Sequence, residues 1–393
     1  MTKISTQSLV EFCNSTNDPD NKCQVETHEC THHLHAVLYH SNCHDGIVAA
    51  SIMNIANIIK EKEHRSNMIY VAVQYGEEPP MLPSDTSLIT VVDFSFDELV
   101  IANAYPGVKV VQLDHHDTAY KRLKGYCNCK PLLITEHIEH KHIEGVICDA
   151  DKSVEVSTTI DIRYSGAGLA QRHIEAMPKY MYEDDDVSKN LILVCAEFAK
   201  YAQDRDLWKY EFGRTTKAFR LLINKEVGKN HVGDMTSLML SIPIFYTRGT
   251  VINAQTYIYE QVLKKIQPYM GIVEYEENRI DNLAQRVDKF TDEQGRLAAL
   301  CAYTGKDASD VGGRIMEVHK DISYVVMYVL SHKGAFLSFR SLDGSAQVVA
   351  ESMGGGGHPN AAGAKVDGSI IYDKYFGLIR EYQAKLKESK KKE

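Results

Sequence analysis

The stretch Val108 to His116, VKVVQLDHH, places one aspartate and two histidines directly after six mostly apolar residues. The length of this run and its β-branched residues are typical of a buried strand. In an open α/β sheet, binding and catalytic groups collect just beyond the carboxyl ends of the strands. Asp114, His115 and His116 are therefore candidate site residues, although consecutive histidines can also follow a strand into solvent without any function.

Two other predicted strands also end in residues that bind divalent metal ions. The strand His35–Tyr39 (HAVLY) leads into His40. The strand Leu88–Val92 (LITVV) leads into Asp93. The segments between the strands look helical or turn-like, which favours parallel strands in one sheet. The three strand ends would then meet at one edge, where their carboxylates and imidazoles could share a metal site.

The composition is that of a soluble globular protein large enough for two domains. The chain has 393 residues, of which 44% are hydrophobic and 25% charged. Its net charge of −9 argues against tight nonspecific binding to long duplex DNA, although a local basic groove remains compatible with it. No stretch has the length of a membrane helix or the apolar core of a signal peptide. The nine scattered cysteines suggest reduced thiols and a cytoplasmic location.

A glycine-rich segment near the other end of the chain offers a second kind of binding group. Residues 354–358 read GGGGH, and small residues continue as far as Gly363. Backbone N–H groups of glycines can approach an anion closely, and His358 can add a side-chain donor. The segment is therefore either a plain linker or a tight loop that binds phosphate.

Three further features each allow two interpretations. Ser165–Gly168 (SGAG) begins a predicted helix, where the small residues serve either close packing or a binding motif. Asp204 and Asp206 follow a predicted apolar helix and are either a solvated helix end or site residues. Trp208, the single tryptophan, either packs in the core or lines a substrate site.

Four motifs together resemble those of the DHH phosphoesterase superfamily. This superfamily includes RecJ-type exonucleases, nanoRNases, cyclic-dinucleotide phosphodiesterases and manganese-dependent inorganic pyrophosphatases. The resemblance implies a two-lobed α/β fold, with a parallel-sheet DHH domain and a smaller α/β DHH-associated domain. The motifs occur in the order of the family and are YHSNCHDGIVAA (39–50), VVDFSF (91–96), LDHHDTAY (113–120) and GGGGHPNAAG (354–363).

On this resemblance the chain divides into four segments. An N-terminal extension would cover residues 1–33, and the DHH catalytic domain would cover 34–249. A helical connector over 250–290 would lead to the DHH-associated substrate-binding domain over 291–393. That last domain would bind the nucleotide end of the substrate through Arg340, Ser341, Gly355, Gly356, Gly357 and His358.

The resemblance also implies a centre with two metal ions. Asp93 would bridge the ions, and mixed carboxylate and imidazole ligands favour Mn²⁺, with Mg²⁺ or Co²⁺ as substitutes. His116 would contact the substrate phosphate, and Asp114 would orient a histidine of the triplet by a hydrogen bond. The remaining metal ligands would be His40, His44, Asp45, His115 and Asp204.

Two of these ligand assignments are left open by the sequence. Many members of the superfamily carry aspartates four and six residues after the first histidine, whereas this chain has His44 and Asp45 at four and five. Either His44 binds a metal ion or the first metal site is incomplete. For the ligand that follows the predicted apolar helix, Asp204 is preferred over Asp206.

The implied reaction is metal-dependent hydrolysis of short single-stranded oligonucleotides or dinucleotides to nucleoside monophosphates. Hydrolysis of cyclic dinucleotides or of adenosine 3′,5′-bisphosphate is an alternative. An inactive nucleotide-binding module is another, because the first motif is altered. Inorganic pyrophosphatase is disfavoured, since the glycine-rich segment belongs to the nucleotide-handling branch. The oligomeric state stays open, with a homodimer as one option.

Overall fold

The computed structural model describes residues 34–60, 64–125, 130–137, 140–148, 155–177, 185–228, 231–243, 253–305 and 308–390. The predicted extension 1–33 lies outside these ranges. Contacts divide the chain into two units, Met1–Gly271 and Ile272–Glu393, so the boundary falls inside the segment 250–290 predicted as a connector. Each unit holds a sheet with packed helices, which confirms the predicted two-domain α/β fold class.

The first unit is built on a sheet of seven strands. They are β1 (Leu34–His40), β2 (Asn67–Val73), β3 (Thr86–Val92), β4 (Lys109–Asp114), β5 (Lys130–His137), β6 (His140–Cys148) and β7 (Glu155–Asp161). Their order is β2-β1-β3-β4-β7-β6-β5. The first five strands in this order, β2, β1, β3, β4 and β7, are parallel. The strands β6 and β5 continue the sheet in antiparallel pairing. The sequence analysis above predicted β1, β3 and β4 from their apolar runs.

The central parallel strands are apolar on both faces. Ala36, Val37 and Leu38 on β1 are fully buried, as are Ile89 on β3 and Val110 on β4. Alternate side chains of a strand point to opposite faces, so an unbroken apolar run requires cover on both sides. This burial fixes where each strand ends and therefore where the polar residues beyond it emerge.

Eight helices of the described residues belong to the first unit. They are α1 (His44–Ile58), α2 (Glu98–Ala104), α3 (Asp117–Gly125), α4 (Gly166–Ala176), α5 (Asp186–Asp206), α6 (Arg214–Glu226), α7 (Val232–Leu240) and α8 (Ala254–Ile266). The helix α1 is buried from Asp45 onward because it packs against β1, α4, α5 and α7. It begins shortly after β1 ends, so its N-terminus lies at the carboxyl edge of the sheet, where a helix start favours negatively charged ligands.

His35 is a buried histidine near the amino end of β1. It is 4% exposed, and its Nε2 lies 2.8 Å from the Thr90 hydroxyl. Its Nδ1 has no hydrogen-bond partner among the described residues. Burial lowers the pKa of His35 to about 3, and the positive charges of Lys60 and His173 act in the same direction. The folded protein therefore holds this imidazole neutral over the whole physiological range.

We expect His35 to destabilise the folded protein in acid. In the unfolded chain the imidazole binds a proton below about pH 6.5. The free energy of unfolding is therefore unaffected by His35 protonation above that pH. It falls as the pH drops from about 6.5 toward the folded pKa of about 3. At pH 5 the loss is about 2 kcal/mol. Urea unfolding of the wild type and of His35→Gln at pH 7 and pH 5 measures this; equal losses in the two proteins would contradict it.

The second unit holds a mixed sheet of six strands with helices on both faces. The strands are β8 (Asp288–Thr291), β9 (Leu297–Ala302), β10 (Tyr324–Ser331), β11 (Gly334–Ser341), β12 (Gly356–His358) and β13 (Ala361–Val366). Their order is β12-β13-β11-β10-β9-β8, with only β9 and β10 parallel among these neighbours. The helices are α9 (Met270–Ala284), α10 (Ala308–Val318), α11 (Ser345–Glu351) and α12 (Phe376–Ser389). Within the described parts of both units, no helix combines the length and apolar character needed to cross a lipid bilayer.

Candidate metal centre

Three strand ends of the parallel sheet bring two imidazoles and a carboxylate together. His40 is the last residue of β1, Asp93 directly follows β3, and His115 directly follows β4. His115 Nε2 lies 3.0 Å from Asp93 Oδ1, and His40 Nδ1 lies 3.8 Å from Asp93 Oδ2. These residues meet because β1, β3 and β4 are adjacent and parallel, so their carboxyl ends share one edge.

Asp93 lies at the centre of this group in a strained conformation. Its φ of 58° is in the left-handed region, which few non-glycine residues adopt. The residue is 1% exposed, and among the described residues its Oδ2 has no hydrogen-bond partner. Backbone strain and an unsatisfied buried oxygen are both costly, and both are typical of positions where a ligand completes a site.

Asp45, in the first turn of α1, is a buried member of the same cluster. Its Oδ1 accepts a hydrogen bond from the Ser165 hydroxyl at 2.6 Å, and its Oδ2 accepts one from the Ala167 N–H at 3.2 Å. Gly166 lies between these two donors, where an added Cβ would come within 2.3 Å of the Asp93 Cβ. The small residues at the start of α4 therefore allow a close approach, and that approach orients Asp45.

Asp206, the last residue of α5, also faces the cluster. Its Oδ2 lies 3.4 Å from His115 Nε2, and its side chain is 26% exposed. Potential metal-binding atoms lie within 4.8 Å of one another in three overlapping groups of described residues. The groups are Asp45, His115 and Asp206; Asp93, His115 and His116; and His40, Cys43 and Asp93.

Asp204, which the sequence analysis preferred, is engaged by the fold instead. It is 3% exposed, and its carboxylate accepts hydrogen bonds from the N–H groups of Glu211 at 2.7 Å and Phe212 at 3.2 Å. The hydroxyl of Thr216 also donates to this carboxylate. Both oxygens of Asp204 thus stabilise the turn after α5, and the structure brings Asp206, not Asp204, to the cluster.

His44 lies beside Asp45 but contacts a different element. Its Nε2 lies 2.7 Å from the Asn224 Oδ1 on α6. In the described ranges, none of the groups of closely spaced potential metal ligands includes His44. Of the three ligands predicted in the first motif, His40 and Asp45 therefore lie in the cluster, and His44 does not.

Asp114 is fully buried and orients His116. Its Oδ1 accepts hydrogen bonds from His116 Nδ1 at 2.7 Å and from the His116 backbone N–H at 3.1 Å. Ser95 donates to the other oxygen, and Arg122 donates to Ser95 while pairing with Glu98. The sequence analysis did not name these last three residues. Because Nδ1 donates to Asp114, Nε2 is the ring nitrogen of His116 that remains for a ligand.

The carboxylates of the cluster favour positive charge among them. Burial raises the pKa of Asp45, and the negative charges of Asp93 and Asp206 raise it further. Burial opposes protonation of His115, but its hydrogen bond to Asp93 and the charges of Asp45 and Asp206 outweigh burial and raise the pKa of His115 to about 10. The cluster is therefore a site that stabilises a cation.

A divalent metal ion fits this donor set. Carboxylate oxygens and imidazole nitrogens within reach of one another suit a divalent metal ion, and a cation would offset the repulsion between buried carboxylates. It would also give the unsatisfied Oδ2 of Asp93 a partner. When bound, a divalent ion in such a site polarises a phosphoryl group and makes water acidic enough to act as a nucleophile near neutral pH.

The sequence analysis missed Cys43, which belongs to one of the three groups of potential metal ligands, and Gln74 and Tyr75, which border the cluster. Gln74 Oε1 lies 3.1 Å from His40 Nε2. The Tyr75 ring centroid lies 5.2 Å from that of His40 and 5.5 Å from that of His116. Gln74 and Tyr75 directly follow β2, so the end of a parallel strand was a signal that could have found them.

In the second unit, part of the glycine-rich segment is an edge strand. Gly356–His358 forms β12, which pairs with β13. A Cβ on Gly355 would lie 2.1 Å from the Gly363 carbonyl oxygen, so this position requires glycine for close packing. Gly357 has a φ of 145°, which also disfavours other residues. The sequence had predicted a binding loop or a linker here.

The register of this sheet places two predicted substrate-binding residues on one face. His358 is opposite Ala361, and Ala361 is opposite Arg340, so the three side chains point to the same side. Arg340 is half-buried and donates to the Ser309 hydroxyl at 3.0 Å, whereas His358 is exposed. Ser341 is buried, and its hydroxyl bonds to backbone groups, so it holds the end of β11 in place.

The sequence matches no protein-family model, and no curated protein is significantly similar to it. Two solved structures that resemble the fold come from bacteria. One is an exopolyphosphatase-related protein from Bacteroides fragilis, 14% identical, with a TM-score of 0.40 over 98% of this chain and 100% of that one. The other is a pGpG-specific phosphodiesterase from Vibrio cholerae, 10% identical, with a TM-score of 0.43 over 89% of this chain and 99% of that one.

Proposed function

We propose that the protein is a metal-dependent phosphodiesterase that hydrolyses linear dinucleotides or short single-stranded oligonucleotides to nucleoside monophosphates. One observation carries this proposal: buried carboxylates and imidazoles from separate elements form a cation-favouring cluster at the carboxyl edge of a parallel sheet. Phosphodiesters carry negative charge that repels nucleophiles, and such a cluster is suited to offset it. The sequence motifs that resemble DHH phosphoesterases support the same reaction.

Metal binding is assigned to five side chains, each at the end of a different strand or helix around the cluster. Asp93 is the shared ligand in this proposal, because both His40 and His115 approach it from neighbouring strands. Asp206 takes the place that the sequence analysis gave to Asp204. The full set of proposed ligands is His40, Asp45, Asp93, His115 and Asp206.

His116 is proposed to bind the phosphoryl group that is cleaved. Asp114 accepts from its Nδ1, so the ring presents Nε2 in a fixed orientation. With the ring protonated on both nitrogens, its Nε2–H would donate to a phosphoryl oxygen, and Asp114 would act only through His116.

Arg340 and His358 are proposed to bind phosphate at the nucleotide end of the substrate. They lie on one face of the second sheet, and the guanidinium is suited to paired hydrogen bonds with phosphate oxygens. The edge strand β12 adds backbone N–H groups of its glycines as further donors.

A substrate panel tests the proposed reaction. With Mn²⁺, the full-length protein should hydrolyse a linear dinucleotide with a higher kcat/KM than a cyclic dinucleotide, adenosine 3′,5′-bisphosphate or inorganic pyrophosphate. Chromatography of the products should show nucleoside monophosphates. A preference for one of the other three substrates would overturn the assignment of substrate. Absence of turnover on all four with Mn²⁺, Mg²⁺ or Co²⁺ would overturn the proposed activity.

A further inference from the structure

A cavity of about 410 Å³ opens beside the candidate metal centre within the first unit. One part of its lining belongs to the cluster already described and includes His40, Asp45 and Asp206. Another part of the lining comes from the end of α5, the turn after it and the middle of α6. It includes Arg205, Trp208 and Arg220, to which the proposed reaction gives no role.

Trp208 is held in an unusual position on the wall of this cavity. It is 57% exposed, although tryptophan is usually well buried. Its φ of 55° lies in the left-handed region, as does the φ of 52° at Tyr210. Non-glycine residues stay in that region only where the surroundings enforce it, and such strain collects at functional sites. Fold stability alone does not explain an exposed tryptophan side chain on a strained backbone.

Asp204 is the residue that enforces this conformation. Its backbone carbonyl accepts hydrogen bonds from the N–H groups of Lys209 at 3.0 Å and Tyr210 at 3.3 Å. Its carboxylate accepts from the two following N–H groups, at 2.7 Å and 3.2 Å. A buried, fully engaged aspartate thus builds the turn that presents Trp208 two residues from the proposed ligand Asp206.

Two arginines make the same wall electropositive. The Arg205 guanidinium carbon lies 5.4 Å from the centroid of the Trp208 ring, and Arg205 also contacts the Tyr210 hydroxyl. Arg220 lines the cavity from α6. The wall therefore combines an exposed aromatic ring with two guanidinium groups.

We infer that this cavity binds one nucleotide of the substrate, with the base stacked on Trp208 and a phosphate that is not cleaved held by Arg205 and Arg220. This inference rests on the proposed function, since it places a nucleotide next to the hydrolytic centre. Aromatic rings stack on any base, and guanidinium groups bind phosphate with paired hydrogen bonds. A cavity of this size lies in the range of small-ligand sites. The preferred substrate class is then a linear dinucleotide carrying an additional terminal phosphate.

The fluorescence of Trp208 tests this inference directly, because it is the only tryptophan in the chain. The full-length protein with Mg²⁺ is titrated with a nucleoside monophosphate, which is a product and is not consumed. We expect saturable quenching by the nucleotide and none by ribose 5-phosphate, which lacks the base. The unphosphorylated nucleoside should quench with an affinity lower by about tenfold or more. Equal responses to nucleotide and ribose 5-phosphate, or no response to either, would overturn the inference.

Variants separate the stacking contact from the phosphate contact. Arg220→Ala should lower the affinity for the nucleotide by about tenfold and leave the affinity for the nucleoside unchanged. In turnover, Trp208→Ala should raise the KM for a dinucleotide by about tenfold with little change in kcat, whereas Trp208→Phe keeps most of the affinity. For a dinucleotide analogue that lacks the base bound in this cavity, the KM should be the same in Trp208→Ala and in the wild type.

The outcomes distinguish this inference from the proposed function. Quenching by nucleotides in a protein without hydrolytic activity would support the cavity assignment and overturn only the reaction. Efficient dinucleotide hydrolysis with an unchanged KM in Trp208→Ala would overturn the cavity assignment and leave the reaction intact.

Discussion

Asp93→Asn should lower kcat/KM for dinucleotide hydrolysis by at least about a thousandfold, or about 4 kcal/mol of transition-state stabilisation. Asparagine has nearly the shape of aspartate and tolerates the left-handed backbone that Asp93 adopts with a φ of 58°. The substitution therefore removes charge and a metal ligand without removing volume. Because both His40 and His115 approach this carboxylate, its loss should lower the affinity of the cluster for every metal ion that it binds.

Activity, bound metal and folding are measured on the same preparation of Asp93→Asn. Circular dichroism and thermal unfolding establish that the variant folds, and elemental analysis measures its Mn²⁺ content. A folded variant that retains more than about a tenth of the wild-type rate would remove Asp93 from the metal centre, since losing a central ligand costs orders of magnitude.

Asp206→Asn and Asp204→Asn should have opposite consequences although the two residues are close in sequence. Asp206 faces His115 at 3.4 Å, so its substitution should lower kcat/KM by about a hundredfold or more and change stability little. Asp204 accepts hydrogen bonds from two backbone N–H groups and from Thr216. Its substitution should lower the free energy of unfolding by about 1.5–3 kcal/mol while Mn²⁺ binding persists.

The pair serves as its own control, because each variant makes the same chemical change at the end of one helix. Urea unfolding and Mn²⁺ titration of both proteins separate stability from metal affinity. Loss of Mn²⁺ binding in Asp204→Asn with unchanged stability, together with an active Asp206→Asn, would return the ligand role to Asp204.

The sequence located site residues correctly where the end of a buried strand decides their position. His40, Asp93 and His115 each lie at the end of an apolar run, and parallel neighbouring strands bring such ends together. Local composition was sufficient to find these residues, because the burial of the strands fixes where the polar residues emerge.

The choice between Asp204 and Asp206 could not be made in the same way. Successive residues of a helix are rotated by about 100°, so residues two apart lie about 200° apart and face opposite sides. Only one of the two can face the cluster, and the rotation of α5 depends on its packing. His44 and Asp45 are adjacent and differ by about 100°, so Asp45 faces the cluster while His44 contacts Asn224 on α6.

Features made by backbone geometry were also beyond the sequence. The exposed position of Trp208 depends on a left-handed backbone conformation that tryptophan rarely adopts. The edge strand at Gly356–His358 read as a loop because glycine is rare in strands, yet close packing requires it here. The strands β5 and β6 were obscured by charged residues in segments such as HIEHKHIEG.

Metal dependence of phosphodiester hydrolysis by the wild-type protein is the most direct measurement of whether the strand-end cluster is a hydrolytic metal centre. The protein is stripped of metal with a chelator, checked by elemental analysis, and assayed on bis-p-nitrophenyl phosphate before and after Mn²⁺ is added. We expect no hydrolysis without metal and recovery that saturates as Mn²⁺ binds. Undiminished hydrolysis by protein shown to contain no metal would contradict the proposed centre.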